Sequence, residues 1–185
     1  MNLLLISGST RAGSTNTAVV RAVPELLPTA ARCLTYLDLM KLPHFNPDDD
    51  VDPLPSEVVR LRALIAEADA LLFCTPEYAG DLPGSFKNLL DWTVGGVEIV
   101  GKPAGWINIS SSTTGAQGAH RALRVVLGYT GAAVVDEACV GVPVGRGDVN
   151  SETGEIDAPH VREELGRAAH LIIKALDGAS TTNPR

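Results

Sequence analysis

Three short stretches of small, hydroxylated or conformationally constrained residues carry the side chains that could do chemistry in this chain. They are residues 9–16, 75–80 and 110–118. The first surrounds Arg11 with serines, threonines and a glycine, follows an apolar run and precedes a helix-like segment. Backbone N–H groups, hydroxyls and the positive end of a helix dipole are suited to bind a phosphate. We therefore expect residues 9–16 to hold the phosphate of a nucleotide-like cofactor.

Two common phosphate loops do not fit this stretch. The triphosphate loop Gly-x-x-x-x-Gly-Lys-Ser/Thr has lysine where this chain has Ser14, and Cys74-Thr75 offers no carboxylate for Mg²⁺. The dinucleotide fingerprint Gly-x-Gly-x-x-Gly has its second glycine where this chain has Thr10. One phosphate held by hydroxyls, N–H groups and Arg11 fits better. A Ser/Thr-rich turn that only caps a helix is the alternative that these residues leave open.

Strand-like and helix-like segments alternate five times, which predicts a doubly wound parallel sheet with helices on both faces. The predicted strands are residues 2–7, 33–37, 68–74, 104–109 and 133–140. The predicted helices are residues 15–27, 84–92, 117–128 and 161–176, with a further one opening at 55–57. We expect Pro24 to end or kink the first helix and Ser56 to cap the second. In the strand order 2-1-3-4-5, the three chemical stretches follow strands one, three and four and meet at one edge.

Length and charge narrow the class of protein. The 185 residues predict a single domain over residues 1–177 with a polar tail at 178–185. A net charge of -7 argues against nucleic-acid and anionic-membrane partners. The acidic run at 48–50 is expected to be solvated surface. Without a signal-peptide pattern or an apolar run of about 20 residues, we expect a cytoplasmic protein.

Cysteine and histidine usage predicts neither a disulfide framework nor a metal site. The three cysteines are widely spread and form no Cys-x-x-Cys pair, and two of them lie in apolar runs, where buried positions are expected. The histidines at 44, 160 and 170 form no ligand cluster. His120 and Arg121 are expected at a solvated helix N-terminus, and Arg146-Gly147-Asp148 is interpreted as a chance match to an adhesion tripeptide.

Residues 8–16, Gly-Ser-Thr-Arg-Ala-Gly-Ser-Thr-Asn, resemble the Gly-Ser-x-Arg-x-x-Ser-x-Asn phosphate loop of the NAD(P)H-dependent FMN reductase family. Residues 75–92 are similar to that family's Pro-Glu-Tyr-Asn…Pro-Gly…Lys-Asn…Asp-Trp signature, and the resemblance spans residues 3–136. It implies a flavodoxin-like three-layer α/β/α sandwich with a five-stranded parallel sheet. It also implies an oxidoreductase that passes a hydride from NADPH or NADH to bound FMN. A small acceptor (a flavin, quinone, azo compound or metal oxyanion) would then be reduced.

The resemblance also implies which residues bind the cofactor. The phosphate residues would be Ser9, Arg11, Ser14, Thr15 and Asn16. The residues beside the flavin ring would be Pro76, Glu77, Tyr78, Ala79 and Gly80, with Ser111, Thr113 and Gly115 closing the other side. No side chain need act as acid or base, since the cofactor carries the chemistry, so we name no catalytic residue and no metal ligand. Family members are dimers or tetramers, and we expect a homodimer or homotetramer here.

Two alternatives remain open at this point. The family's usual Asn after Pro-Glu-Tyr is Ala79 here, and Asp81 adds a carboxylate, so this chain could be a family member with weakened flavin binding. A flavodoxin-type electron carrier would share the fold and the acidic charge. Arg11 and an aromatic content of only 4% favour the reductase, because flavodoxin phosphate loops lack the arginine and aromatic rings sandwich their flavin.

Overall fold

The computed structural model of this chain describes residues 1–27, 31–112 and 114–182. Its strands are β1 (Asn2–Ser7), β2 (Arg32–Tyr36), β3 (Ala70–Cys74), β4 (Pro103–Asn108) and β5 (Ala133–Gly141). Its α-helices are α1 (Thr15–Leu26), α2 (Ser56–Glu67), α3 (Gly84–Asp91), α4 (Gln117–Thr130) and α5 (Pro159–Thr182). The strands form one parallel sheet in the order β2-β1-β3-β4-β5. The predicted flavodoxin-like α/β fold and its strand order are confirmed.

Alternate residues of the central strands face two separate cores, as the two-residue period of a strand requires. Leu4 and Ile6 of β1 pack under α2, α3 and α4. Leu3 and Leu5 of the same strand pack under α1 and α5. Both faces of β1 are therefore buried, which explains why its sequence is continuously apolar.

Three helix ends differ from the sequence predictions. Pro24 lies inside α1, and the helix ends two residues later at Leu26, one residue before the predicted end. Ser56 is the first residue of α2 rather than its cap. Pro55 occupies the capping position with φ -55° and ψ 137°, the extended geometry that proline favours. The last helix continues through Thr182, past the start of the predicted tail at Gly178, because no proline interrupts the chain before Pro184.

The acidic segment before α2 is not wholly solvated, which corrects the sequence expectation for Asp50. Its carboxylate accepts a hydrogen bond from Arg62 Nη2 at 2.7 Å, and about a tenth of each side chain is exposed. Arg62 also donates from Nε to the Trp92 carbonyl at 3.0 Å. Neighbouring Asp48 and Asp49 are exposed, as expected. Asp50 is buried because a fixed guanidinium accompanies it.

The first two chemical loops begin side by side because residue 8 is glycine. The Gly8 N–H donates to the Cys74 carbonyl at 2.9 Å, which continues the β1–β3 pairing to the sheet edge. A Cβ atom on Gly8 would lie 2.2 Å from Thr75 Oγ1, closer than real Cβ atoms approach. Only glycine therefore lets the loops after β1 and β3 leave the sheet in contact.

Candidate cofactor site

A polar pocket of about 510 Å³ opens at the carboxyl edge of the sheet, and we call it the carboxyl-edge pocket. Its volume is in the range of small-molecule sites. It is lined by Ser9, Arg11, Ser14, Thr15, Asn16, Thr75, Pro76, Glu77, Tyr78, Asn108, Ile109, Ser110, Ser111, Ala116, Val144, Gly145 and Arg146. The structure thus brings the three predicted stretches together and adds a fourth, the segment after β5.

In the candidate phosphate loop, residues 9–16, the hydrogen-bond donors at the start of α1 are not used to cap that helix. Ser14 occupies the N-cap position of α1, but its side chain makes no capping hydrogen bond, and the first turn has no acidic residue. The Ser14 hydroxyl and the positive helix end therefore remain available to an anion. Arg11 is exposed, and its Nη2 donates to the Gly13 carbonyl at 3.1 Å. This geometry disfavours the alternative in which the loop only caps a helix.

Asn16 connects the first loop to the end of β3. Its side chain is buried, and Oδ1 accepts a hydrogen bond from Cys74 Sγ at 3.3 Å. Burial raises the pKa of the Cys74 thiol, so the sulfur keeps its proton and can donate. Asn16 therefore positions the start of α1 against the central strand, and it also lines the pocket.

The second loop ends in a tight turn next to the pocket residue Tyr78. Tyr78 and Asp81 exchange two backbone hydrogen bonds of 3.1 Å, and Ala79 and Gly80 between them have φ of 52° and 78°. Positive φ at both central residues is the geometry of a type I′ turn, which favours Asn-Gly. Neither Ala79 nor Gly80 lines the pocket. An asparagine at position 79, the residue that the family usually has there, would therefore stabilise the turn.

The carboxylate of Asp81 bonds within its own segment of the chain. Its Oδ1 accepts a hydrogen bond from the Leu82 N–H at 2.6 Å, one residue further along the chain. Asp81 is not among the residues that line the carboxyl-edge pocket. Its carboxylate therefore does not add negative charge to the pocket wall.

Glu77 connects the second loop to α4. Its Oε2 accepts a hydrogen bond from the Ala119 N–H at 3.0 Å, in the first turn of that helix. The close approach requires glycine at 118, because a Cβ there would lie 2.1 Å from the Gly80 carbonyl oxygen. The single carboxylate in the pocket lining is thus neutralised in part by a helix N-terminus.

Asn108 braces the third loop, and sequence reasoning missed it. Its Oδ1 accepts from the Ser110 N–H at 3.0 Å, and its Nδ2 donates to the Gly115 carbonyl at 3.2 Å. The sequence prediction placed Asn108 inside β4, whereas β4 ends at this residue. A polar amide next to an apolar strand end was the available signal. Of the predicted third-loop residues, Ser111 lines the pocket, Gly115 does not, and Thr113 lies outside the described residues.

His120 is buried, so the expectation of a solvated helix N-terminus is wrong for it, although Arg121 beside it is exposed. Its Nδ1 donates to the Ala116 carbonyl at 2.7 Å, and its ring stacks on Trp106 with centroids 5.5 Å apart. Burial lowers the pKa of His120, and the nearby Ala116 carbonyl and Glu77 act less strongly in the opposite direction. The neutral ring holds Ala116, which has φ 59° and lines the pocket.

The described residues form neither a metal-binding cluster nor a membrane-spanning helix. No group of three or more His, Cys, Asp or Glu residues among them could hold a metal ion. Among the described helices, none combines the length and the apolar character needed to cross a bilayer.

Comparison with known proteins gives a consistent result. The family model described as NADPH-dependent FMN reductase matches residues 1–146. An NAD(P)H-dependent FMN reductase of Pseudomonas aeruginosa is 36% identical over 129 residues, which are 69% of each chain. A quinone reductase of Pseudomonas putida is 32% identical over 145 residues, 77% of this chain and 75% of that protein. The structure of FerB, a flavoenzyme NAD(P)H:(acceptor) oxidoreductase from Paracoccus denitrificans, superposes with a TM-score of 0.81. It is 25% identical, and the match covers 96% of this chain and 98% of FerB.

Proposed function

This chain belongs to the NADPH-dependent FMN reductase family, and from that premise we propose that it binds FMN in the carboxyl-edge pocket. There it would take a hydride from NADPH or NADH and reduce a quinone or another small acceptor. The observation that carries the proposal is the convergence of the loops after β1, β3 and β4 on one cavity whose first loop offers unused anion donors. The pocket wall suits FMN because its hydroxyl, amide and guanidinium groups can donate hydrogen bonds to a phosphate.

Different residues of the pocket would bind the phosphate and the ring of FMN. Ser9, Ser14 and Arg11 would hold the phosphate, with Thr15 and Asn16 at the start of α1. Pro76 and Tyr78 would lie against the ring, while Ser111 and the Asn108-braced loop close the opposite side. Ala79, Gly80 and Gly115 stay outside the lining, so any contact they make would come from their backbone.

When bound, FMN supplies the hydride-accepting ring, and the protein has to position the reactants and exclude side reactions. Among the described lining residues, the one carboxylate, Glu77, accepts a hydrogen bond from the Ala119 N–H, and we assign no residue a proton-transfer role. Tyr78 is 50% exposed at the pocket, which leaves an open face for the nicotinamide and then the acceptor. We expect the two substrates to use that face in turn, with ping-pong kinetics.

The proposal is tested by loading the protein with FMN and adding NADPH or NADH without oxygen. We expect rapid bleaching of the flavin absorbance and its recovery when a quinone is added. A flavin that stays oxidised under excess NADPH and NADH would favour the electron-carrier alternative. The pocket already disfavours it, since Tyr78 is the one aromatic side chain in the described lining.

Titration of FMN fluorescence tests the weakened-binding alternative. A dissociation constant above roughly 1 mM, about 4 kcal/mol of binding, would rule out a bound cofactor. We expect Arg11→Ala to weaken FMN binding about tenfold, because a charge-assisted hydrogen bond to phosphate is lost. An unchanged constant would show that the first loop does not hold the phosphate.

We further propose that the chain forms a homodimer or homotetramer. Val97, Val100 and Tyr129 are 79%, 58% and 90% exposed, and a second copy of the chain would cover them in such an assembly. Light scattering after gel filtration measures the assembly, and a monomeric mass would contradict it. A cytoplasmic location stays a prediction from the sequence.

A further inference from the structure

The segment after β5 forms one wall of the carboxyl-edge pocket. The Val144 N–H donates to the Ile109 carbonyl at 3.0 Å, which attaches this segment to the third loop. The Gly145 N–H then donates to Asp148 Oδ2 at 2.7 Å, and a short 3-10 helix covers Arg146–Asp148. The turn is closed by its own bonds and carries Arg146 on the pocket wall.

After the pocket wall, the chain packs against α1, the helix that begins at the phosphate loop. Residues 153–156 line a small cavity together with Ala18 and Ala22 of α1. Arg162, at the start of α5, donates to Glu25 at 3.0 Å, and α5 packs against α1. The segment that carries Arg146 therefore crosses from the third loop to the helix that begins at the first loop.

The Arg146 guanidinium contributes no hydrogen bond or ion pair to the described part of the fold. Among the described residues, none accepts a hydrogen bond from its guanidinium or forms an ion pair with it. Asp148, the nearest carboxylate along the chain, is bonded to the Gly145 N–H. Arg11, Glu77 and Arg146 are the three charged residues of the described lining. Without Arg146 the formal charges of Arg11 and Glu77 cancel, and with it the wall is positive.

A phosphate monoester near neutral pH carries between one and two negative charges. The chain as a whole carries -7, so the anion has to be held by local cations. Arg11 already directs Nη2 to the Gly13 carbonyl of its own loop. We propose that Arg146 is a second phosphate-binding residue, which closes on the FMN phosphate opposite Arg11. This inference rests on the proposed function and assigns to the adhesion-like tripeptide a role in cofactor binding.

The test compares FMN with riboflavin, which lacks the phosphate, by fluorescence titration of the purified full-length chain. We expect Arg146→Ala to weaken FMN binding about tenfold and to leave riboflavin binding within about twofold. Arg146→Lys should give an intermediate loss, because an ammonium keeps the charge without the planar fork. Arg167→Ala removes an exposed arginine of α5 outside the pocket and serves as the charge-matched control.

The outcomes separate this inference from the proposed function. If wild type binds FMN and Arg11→Ala loses affinity but Arg146→Ala does not, only the role of Arg146 is overturned. If Arg146→Ala instead raises the KM for NADPH with FMN affinity unchanged, the residue binds the co-substrate and the inference is wrong. An equal loss of riboflavin affinity would show a structural role and also overturn it. A wild type that binds neither flavin overturns the proposed function together with the inference.

Discussion

Single polar side chains hold the pocket loops in position. Asn16 accepts from Cys74, Asn108 bonds both ends of the third loop, and Glu77 accepts from the N-terminus of α4. Each of these residues also lines the pocket. Because unmet buried hydrogen bonds are costly, changing such a residue would disturb loop geometry as well as ligand contact.

His120 makes a testable prediction about pH. Burial lowers its pKa from the ordinary value of 6.5, so the unfolded chain binds a proton that the native state resists. Stability contributed by the neutral ring is therefore present above pH 6.5 and is lost as the pH falls below that value. Urea denaturation between about pH 5 and about pH 8 measures the effect.

The variant His120→Asn should flatten this dependence, because its amide can still donate to the Ala116 carbonyl and does not titrate. A matched control is His170→Asn. His170 makes the same type of bond, to the Gly166 carbonyl at 2.8 Å, but is exposed. If both variants keep the wild-type pH dependence, burial of His120 does not cause it.

At the scale of elements, the turns and helix ends decide where the loops point. The type I′ turn after Tyr78 leaves the Asp81 carboxylate bonded to the Leu82 N–H, and Asp81 is not among the residues that line the pocket. The left-handed Ala116 ends the third loop and starts α4 beside Glu77. The strand ends bring the loops to one edge of the sheet. The turn after Tyr78 and the left-handed residue before α4 then determine which side chains line the cavity.

The Ala79 turn provides a stability prediction. An L-residue with φ of 52° is strained, so Ala79→Gly should raise the free energy of unfolding by about 0.5–1 kcal/mol. The same substitution at exposed Ala63 within α2 should lower it by about 1 kcal/mol, since glycine is disfavoured in helices. Urea denaturation measures both values. Equal signs for the two variants would mean that the turn is not strained.

FMN titration of the same two variants gives the functional counterpart. Because Ala79 does not line the pocket, Ala79→Gly should bind FMN within about twofold of wild type. A larger loss would mean that the Ala79 methyl group, or the turn conformation that it restricts, contributes to FMN binding.

At the scale of the whole molecule, one buried cation joins segments that are distant in sequence. Arg62 on α2 contacts Asp50 before that helix and the Trp92 carbonyl at the end of α3. Removing it leaves a carboxylate and a carbonyl without partners in a poorly solvated place. The packing of the face that holds α2 and α3 therefore depends on this residue.

We expect Arg62→Met to lower the free energy of unfolding by about 3–5 kcal/mol. Arg32→Met removes the surface pair with Glu67, whose side chains are 65% and 42% exposed, and should cost about 0–1 kcal/mol. Urea denaturation of the two variants compares them directly. Similar small losses would show that the buried ion pair contributes little.

Residue types and their spacing already predict the order of the strands and helices and the edge of the sheet at which the cofactor site lies. Continuously apolar runs such as residues 3–6 and 70–74 are typical of central parallel strands that are buried on both faces, and parallel strands place their following loops at one edge. The stretch around Arg11 and the signature around Glu77 identified two of the pocket walls. Apolar runs and loop motifs depend only on residue types and their spacing along the chain, so they can be recognised without the structure.

Which side chains line the pocket depends on how the folded segments pack together. Ala79, Asp81 and Arg146 all lie in polar loops, and no spacing distinguishes the exposed turn residues from the pocket arginine. Orientation is set by contacts between segments far apart in sequence, such as Val144 with Ile109 and Glu77 with Ala119. His120 differs from Arg121 for the same reason, since it lies over Trp106 of the neighbouring strand. Such contacts arise only when the strands have paired, so the sequence alone does not specify them.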